Sequence, residues 1–410
     1  MRHAKPASNS RDVKVLNRLL VRNTIRKLGP IARHEVAKVT GLTPPTVTVI
    51  VNEMIRSGIV KEVGRGISTG GRRPVMLELN PCAGFILAVR IQHGEIVTAI
   101  LDLAGTILET QRLEPDTSAP GNVVNVIGTS FDNMTERLGI KNDQVLWCGV
   151  ASPGLIDSHR GIVARSSNLA WQNVALGEAL SGRLGRIPVH VENISNAAAL
   201  GEKMYGVAQG CANLIYLNLS VGIGAGIIID NQIYGGAHGY AGEVGHVAVY
   251  PENGPICACG QRGCFEVVCG VRAVLARVKS EVSDETFTAL GLSKERVTVD
   301  DIVRSGLANT PEVQRILHET GKTVGLAIAN LVSLFNTEMV ILGGELSRAG
   351  DFFLDAVNRE ARERALREII QAVKIVRSTM ATDPALMGAY SLAIEDLFSV
   401  EEWRRPCNGT

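Results

Sequence analysis

The feature that most restricts the fold is a strand meander that occurs twice. Residues 84–114, GFILAVRIQHGEIVTAILDLAGTILETQRLE, give three β-rich runs joined by HG and AG turns. A similar arrangement returns at residues 213–236, NLIYLNLSVGIGAGIIIDNQIYGG. With 410 residues the chain is too long for one ordinary core. The body therefore reads as two lobes, each opening with a meander and continuing with helices. The second lobe adds the helical stretch VQRILHETGKTVGLAIANLVSLFN and the strand MVILGGEL, and PALMGAYSLAIEDLF forms a last helix. Hydrophobic residues make up 45% but aromatics only 4%, so the strands and helices are aliphatic, as in an α/β protein. No apolar run approaches the ~18 residues that cross a membrane, and the N-terminus has no apolar core of a signal peptide. A cytoplasmic protein is expected.

The formal net charge of +1 hides an asymmetry. Met1 to Glu78 holds 15 Lys/Arg and 5 Asp/Glu, a charge of +10; the remaining 27 basic and 36 acidic residues give −9. Only the small basic head is suited to a polyanion. That head contains three helical patterns. The first, VKVLNRLLVRNTIRKLG, places Val15, Leu19, Val21 or Arg22, and Ile25 at roughly helical spacing. The second is RHEVAKVTG. The third, TPPTVTVIVNEMIRSG, has Thr43 as its N-cap, Pro44 at the first helical position, and Val47, Ile50, Val51 and Met54 as its buried stripe. A short helix, the turn GLT and a longer helix make a helix-turn-helix. Thr43, Pro45, Thr46, Thr48 and Asn52 are its candidate DNA contacts. The following strand, Gly-rich tip and second strand read as a wing, with Arg72 and Arg73 placed to enter a minor groove.

The stretch GHVAVYPENGPICACGQRGCFE carries the densest chemistry. His246, Cys257, Cys259 and Cys264 supply one nitrogen and three sulfurs, a full tetrahedral set for Zn²⁺ that leaves no open position, so the ion would be structural. Cys269 is a nearby spare. Two apparent phosphate loops are set aside. Gly321-Lys322-Thr323 lies in a helical pattern with Ile316 where a P-loop needs glycine, and the glycines at 222, 224 and 226 are one position short of a dinucleotide fingerprint.

The ordered set winged helix, GVASPG, VENISNAAALGE, LSVGIGAG, AGEVGH, CxCGxxGCFE, VILGGEL resembles the ROK family of sugar-responsive repressors and sugar kinases over nearly the whole chain. The resemblance implies two actin/hexokinase-like (ribonuclease H-like) α/β lobes behind the winged head: residues 1–80 as the head; 81–192 as the first lobe, joined by a C-terminal helix 384–410; and 193–383 as the second, with the zinc motif and an oligomerisation surface. It implies a sugar cleft built from Gly154, Asn193, Glu243, His246 and Glu266. The family's kinases carry an Asp base inside their Glu-Asn-Asp-Ala-Asn motif, where this chain has Ile194, and an Asp-x-Gly-Gly-Thr turn where it has the run Val89 to Gly94. The expectation is a non-enzyme: a repressor of carbohydrate-utilisation genes, xylose being one candidate effector, that releases operator DNA when a sugar or sugar phosphate binds. A homodimer or tetramer is implied. An ATP-dependent sugar kinase, and a repressor governed by a protein partner, are the alternatives.

Overall fold

The computed structural model of the chain describes residues 10–67 and 73–399. The head comprises helices α1 (Ser10–Leu28), α2 (Arg33–Thr40) and α3 (Pro44–Arg56), with strands β1 (Ile31–Ala32), β2 (Val60–Arg65) and β3 (Val75–Leu79). Gly41, at φ 70°, ends α2, and the Thr43 hydroxyl accepts the Thr46 amide at 3.4 Å to start α3. That turn fixes α3 against α2. Val47, Ile50, Val51 and Met54 then pack on Val21, Ile25, Val36 and Leu77. The strands pair in the order β1-β3-β2, so the wing carries an additional short strand from the α1–α2 connection. Both alternatives raised for the first helix are buried, Val21 in the head core and Arg22 elsewhere.

Two five-stranded sheets form the body. The first contains β4 (Phe85–Gln92), β5 (Glu95–Asp102), β6 (Ile107–Leu113), β7 (Val145–Ser152) and β11 (Val189–Asn193). The second contains β12 (Leu214–Leu219), β13 (Ile223–Ile229), β14 (Gln232–Ile233), β15 (Met339–Gly343) and β16 (Lys374–Arg377). Their orders, β6-β5-β4-β7-β11 and β14-β13-β12-β15-β16, are the same: an antiparallel meander extended by two parallel strands on its first strand. A small antiparallel sheet of β8 (Leu155–Asp157), β9 (Ile162–Ser166) and β10 (Trp171–Val174) interrupts the first lobe.

Alternation along β4 explains the layering. Leu87, Val89 and Ile91 pack towards Ile127, Phe131 and Met134 of the helix Pro120–Leu138. Ile86 and Ala88 face Leu386, Tyr390 and Ile394 of the closing helix Pro384–Ser399. The second sheet packs one face on the helix Pro311–Phe335 and offers Leu214 and Tyr216 on the other to Ala197, Ala198, Ala385 and Ala389. The closing helix therefore touches the cores of both lobes. It does so at backbone distance: a Cβ on Gly388 would meet the Ala197 carbonyl, one on Gly201 the Pro384 carbonyl, and one on Gly149 the Ala389 carbonyl. Gly321-Lys322-Thr323 lies inside Pro311–Phe335, with Gly321 packed against Phe353 and Ala356, and is a helix contact.

His190 of β11 and Asp396 of the closing helix add an ion pair at 2.6 Å. Burial alone would lower the His190 pKa; the Asp396 hydrogen bond and the charges of Asp396, Glu192 and Glu395 outweigh it and raise it. The pair then stabilises fully below the ordinary histidine pKa of about 6.5, and that contribution is lost as pH rises through the higher folded-state value. Asp396→Asn is expected to lower the Tm most in mildly acidic buffer, with the gap to wild type closing at alkaline pH; a gap independent of pH argues against the linkage. Gly388→Ala tests the helix contact by sign. On a free helix the change stabilises by about 1 kcal/mol, whereas overpacking here is expected to cost about 1–3 kcal/mol, read as a drop in Tm; a rise would refute the contact.

Candidate functional site

Strands β4, β7, β11, β12 and β15 all end at the same place, as Gln92, Ser152, Asn193, Leu219 and Gly343. Ligands in open α/β sheets bind beyond the carboxyl ends of the strands, and there the two lobes enclose a cleft of about 590 Å³. The first lobe contributes Gln92, His93, Gly154, Arg165, Ser166 and Asn168 to its walls, and the second Ser220, Gly222, Glu243, His246, Glu266 and Glu345. Every residue expected to bind sugar, Gly154, Asn193, Glu243, His246 and Glu266, lines this one cleft, and so does Ile194.

Local geometry assigns each a distinct part. Gly154 sits at φ 117°, and a Cβ there would strike the Arg165 carbonyl, so the turn after β7 can only close around glycine. The Asn193 amide nitrogen donates to the Gly154 carbonyl at 2.9 Å, and its oxygen accepts the Ser195 and Asn196 amides at 2.7 and 3.4 Å. Asn193 is thus the N-cap of the helix Ile194–Tyr205 and the tie to the first-lobe turn. Glu192 orders the same corner, accepting from Asn193, Asn196 and Ser158. Glu266 accepts the Ile223 amide at 3.0 Å, and Gly222 leaves room beside it for the Asn168 amide. Burial raises the pKa of Glu243, His246 opposes that and Glu266 adds to it. Ser166 Oγ and Glu345 Oε2 are buried without a protein partner, and their residues line the cleft. Ser166, Arg165 and Asn168 were not found in the sequence because they belong to a segment with no motif of its own; Glu345 lies in VILGGEL but carries no pattern that marks it as a cleft residue.

His246, Cys257, Cys259 and Cys264 converge, with one donor atom from each lying within 4.8 Å of the others. Donors bound tetrahedrally at 2.0–2.3 Å from zinc stand about 3.5–3.8 Å apart. The Cys259 and Cys264 sulfurs are 3.6 Å apart, and the Cys257 sulfur is 3.7 Å from His246 Nδ1. The set can therefore hold a metal ion through Nδ1 of His246, whose Nε2 is 4.0 Å from the Glu243 carboxylate on the cleft side. Without an ion the thiols disagree: burial pushes Cys264 up to about 12, while a Gln261 amide hydrogen bond lowers Cys259. A divalent cation reconciles them by favouring thiolate at every position. Cys269 is buried outside the cluster, its thiol also pushed up to about 12 by burial.

On the head, Thr43, Pro45, Thr48 and Asn52 are exposed along one side of α3, Thr46 is half-buried beneath Thr43, and Val49 stands exposed among them. The Thr48 hydroxyl donates to the Pro44 carbonyl, and Asn52 accepts from Arg33, itself paired to Glu62. Arg73 is exposed at the wing; Arg72 lies outside the described residues. No described helix is long and apolar enough to cross a membrane.

Residues 86–396 match the model of the ROK family. The chain is 30% identical over 397 residues to the xylose repressor of Caldicellulosiruptor bescii, covering 95% of this chain and 98% of that one. Its structure is similar to that of a ROK family transcriptional regulator homologous to the E. coli MLC protein, with a TM-score of 0.80, 27% identity, and 95% and 98% of the two chains covered. It is also similar, without the head, to a ROK family glucokinase from Streptomyces griseus in complex with glucose and AMPPNP: TM-score 0.69, 29% identity, 76% of this chain and all of that one. With two same-order sheets, one shared cleft and a match across three quarters of its length, the chain belongs to the ROK family.

Proposed function

We propose that this protein is a sugar-responsive DNA-binding transcriptional repressor, in which a sugar in the interlobe cleft weakens the grip of the winged heads on an operator. The observation that carries the reading is the pairing, in one chain, of an exposed α3 face with a cleft that keeps polar walls but lacks a proton acceptor at position 194. Ile194 cannot take a hydroxyl proton, a loss worth about 10²–10⁴ in rate. Arg90, near the end of β4, pairs with Gln92, Glu95 and Asp383. A xylose repressor and a ROK family transcriptional regulator each match 95% of the chain.

The cleft's charge favours a neutral ligand. Glu243, Glu266 and Glu345 face it against the guanidinium of Arg165, so a phosphate ester would meet repulsion that a free sugar avoids. Hydroxyls would find Glu243, Glu266, Ser166 and the His246 Nε2 edge. Ile194 offers an apolar wall that suits a sugar short of one distal hydroxyl, such as a pentose. The His/Cys cluster takes Zn²⁺, and its role is to hold the loop carrying His246 and Glu266 as one wall of the cleft; four protein donors leave no site for chemistry on the ion.

Gel shifts with the protein's own upstream DNA test this, across xylose, glucose, N-acetylglucosamine and their phosphates. A free sugar is expected to weaken binding by about 5–150-fold, with xylose ahead of the hexoses and phosphates behind; no sugar effect on a bound fragment would sink the effector reading. ATP-dependent phosphorylation of any of these sugars would instead favour a kinase. Cys257→Ser should lower zinc, measured by mass spectrometry, from one ion per chain to near none and blunt the sugar response; full zinc content in that variant would remove Cys257 from the set.

A further inference from the structure

We propose that the closing helix Pro384–Ser399 is a relay: Asp383 senses the cleft at one end through Arg90, and Phe398 holds α1 of the DNA-binding head at the other. The path is continuous. Gln92, at the end of β4, donates to the Ser220 hydroxyl of the second lobe at 3.3 Å, across the cleft. Gln92 accepts from Arg90, whose guanidinium is buried and also pairs with Glu95 and, through Nε, with Asp383 at 2.6 Å. Asp383 meanwhile accepts the Ala385 and Leu386 amides at 2.9 and 3.2 Å and so begins the helix. Any shift of one lobe against the other at Gln92 and Ser220 is thus felt by the residue that anchors the helix.

The helix runs about 24 Å for its 16 residues. At its far end the Phe398 carbonyl accepts from Arg22 Nη2 at 3.0 Å and from Asn23 Nδ2 at 3.4 Å. The Phe398 ring lies under two guanidinium groups, Arg22 at 5.0 Å and Arg26 at 4.7 Å. Arg22 is almost fully buried and Arg26 half-buried, whereas Lys14, Arg18, Lys27, Lys38 and Lys61 of the head are exposed. Its neighbours Val21 and Ile25 on α1 sit in the same core as Val47, Ile50 and Val51 of α3, and Arg18 pairs with Glu53 of α3 at 2.6 Å. Movement at Phe398 therefore reaches the α3 face. Through Gly388 and Gly201 the closing helix lies at backbone contact on the helix Ile194–Tyr205, which begins at the cleft itself, so a shift of either helix is passed to the other.

The relay rests on the repressor reading for its purpose, but its mechanics can be tested without any ligand. Asp383→Asn keeps an acceptor for the helix-start amides while removing the charge that Arg90 holds; Arg22→Gln cuts the far end. Hydrogen exchange on the full-length protein is the readout. Asp383→Asn is expected to speed exchange in α1 by about tenfold or more, and Arg22→Gln to do the same at the Gln92–Glu95 turn, with Tm and metal content checking that each variant is folded. Unchanged α1 exchange in Asp383→Asn together with an unchanged turn in Arg22→Gln would overturn the relay. In a second arm, both variants should bind D-xylose and the upstream fragment, yet lose the effect of xylose on DNA affinity, and the double variant should lose no more than either. A wild-type xylose effect surviving in both variants would also overturn it. A sugar-insensitive wild type would count against the effector reading, and the exchange arm would still decide the relay.

Discussion

The rest of the molecule depends on one close packing contact. The closing helix lies on the helix Ile194–Tyr205 and on β7 with Gly388, Gly201 and Gly149 at the crossings, where any side chain would collide with a backbone carbonyl. Glycine inside a helix is unfavourable by itself, so its presence here marks a place where proximity outweighs propensity. The contact lets a single helix join the cores of both lobes. It also puts Asp383 on Arg90, whose partner Gln92 lines the cleft, and Phe398 beside the head. A bulkier crossing would push the closing helix away from the helix Ile194–Tyr205 and from β7.

The cleft is built from chain ends rather than from a dedicated loop. Five strands stop there; a hydrogen bond ties the turn after β7 to the cap at Asn193, and the loop following β12 bonds Gln92 through Ser220 and approaches Asn168 and Glu266 at Gly222. The His/Cys cluster adjoins the remaining wall, where His246 and Cys259 line the cleft. Cys264 is the cap residue of the short helix Phe265–Cys269, so the group that would hold the metal stands two residues from Glu266. In the proposed reading, an ion there would fix the carboxylate by fixing the turn.

Much of this was legible in the sequence where the signal is local. The two meanders follow from alternation and glycine turns, α3 from its cap, its proline and its stripe, and the metal set from four donors within nineteen positions. What was not legible is non-local. The pairing of β7 and β11 onto the first meander, and the same order in the second, arise from tertiary contacts. The small sheet β8–β10 carries no strong alternation, so Arg165 and Ser166 stayed unseen although they reach the cleft. Arg22 competed with Val21 for one helical position, and only the packed closing helix explains why a cation is buried there. Asn193, expected to bind ligand, caps a helix and ties it to the Gly154 turn, because an amide can accept on one side and donate on the other.

The central claim is that cleft and head report on one equilibrium. Linkage then requires the effect to run in both directions. The most direct measurement is a calorimetric titration of the effective sugar into the protein alone and into its complex with the operator fragment. The sugar's affinity should fall in the complex by the same factor by which the sugar weakens DNA binding. An identical affinity in both titrations, with sugar bound in each, would show that the cleft and the head are independent.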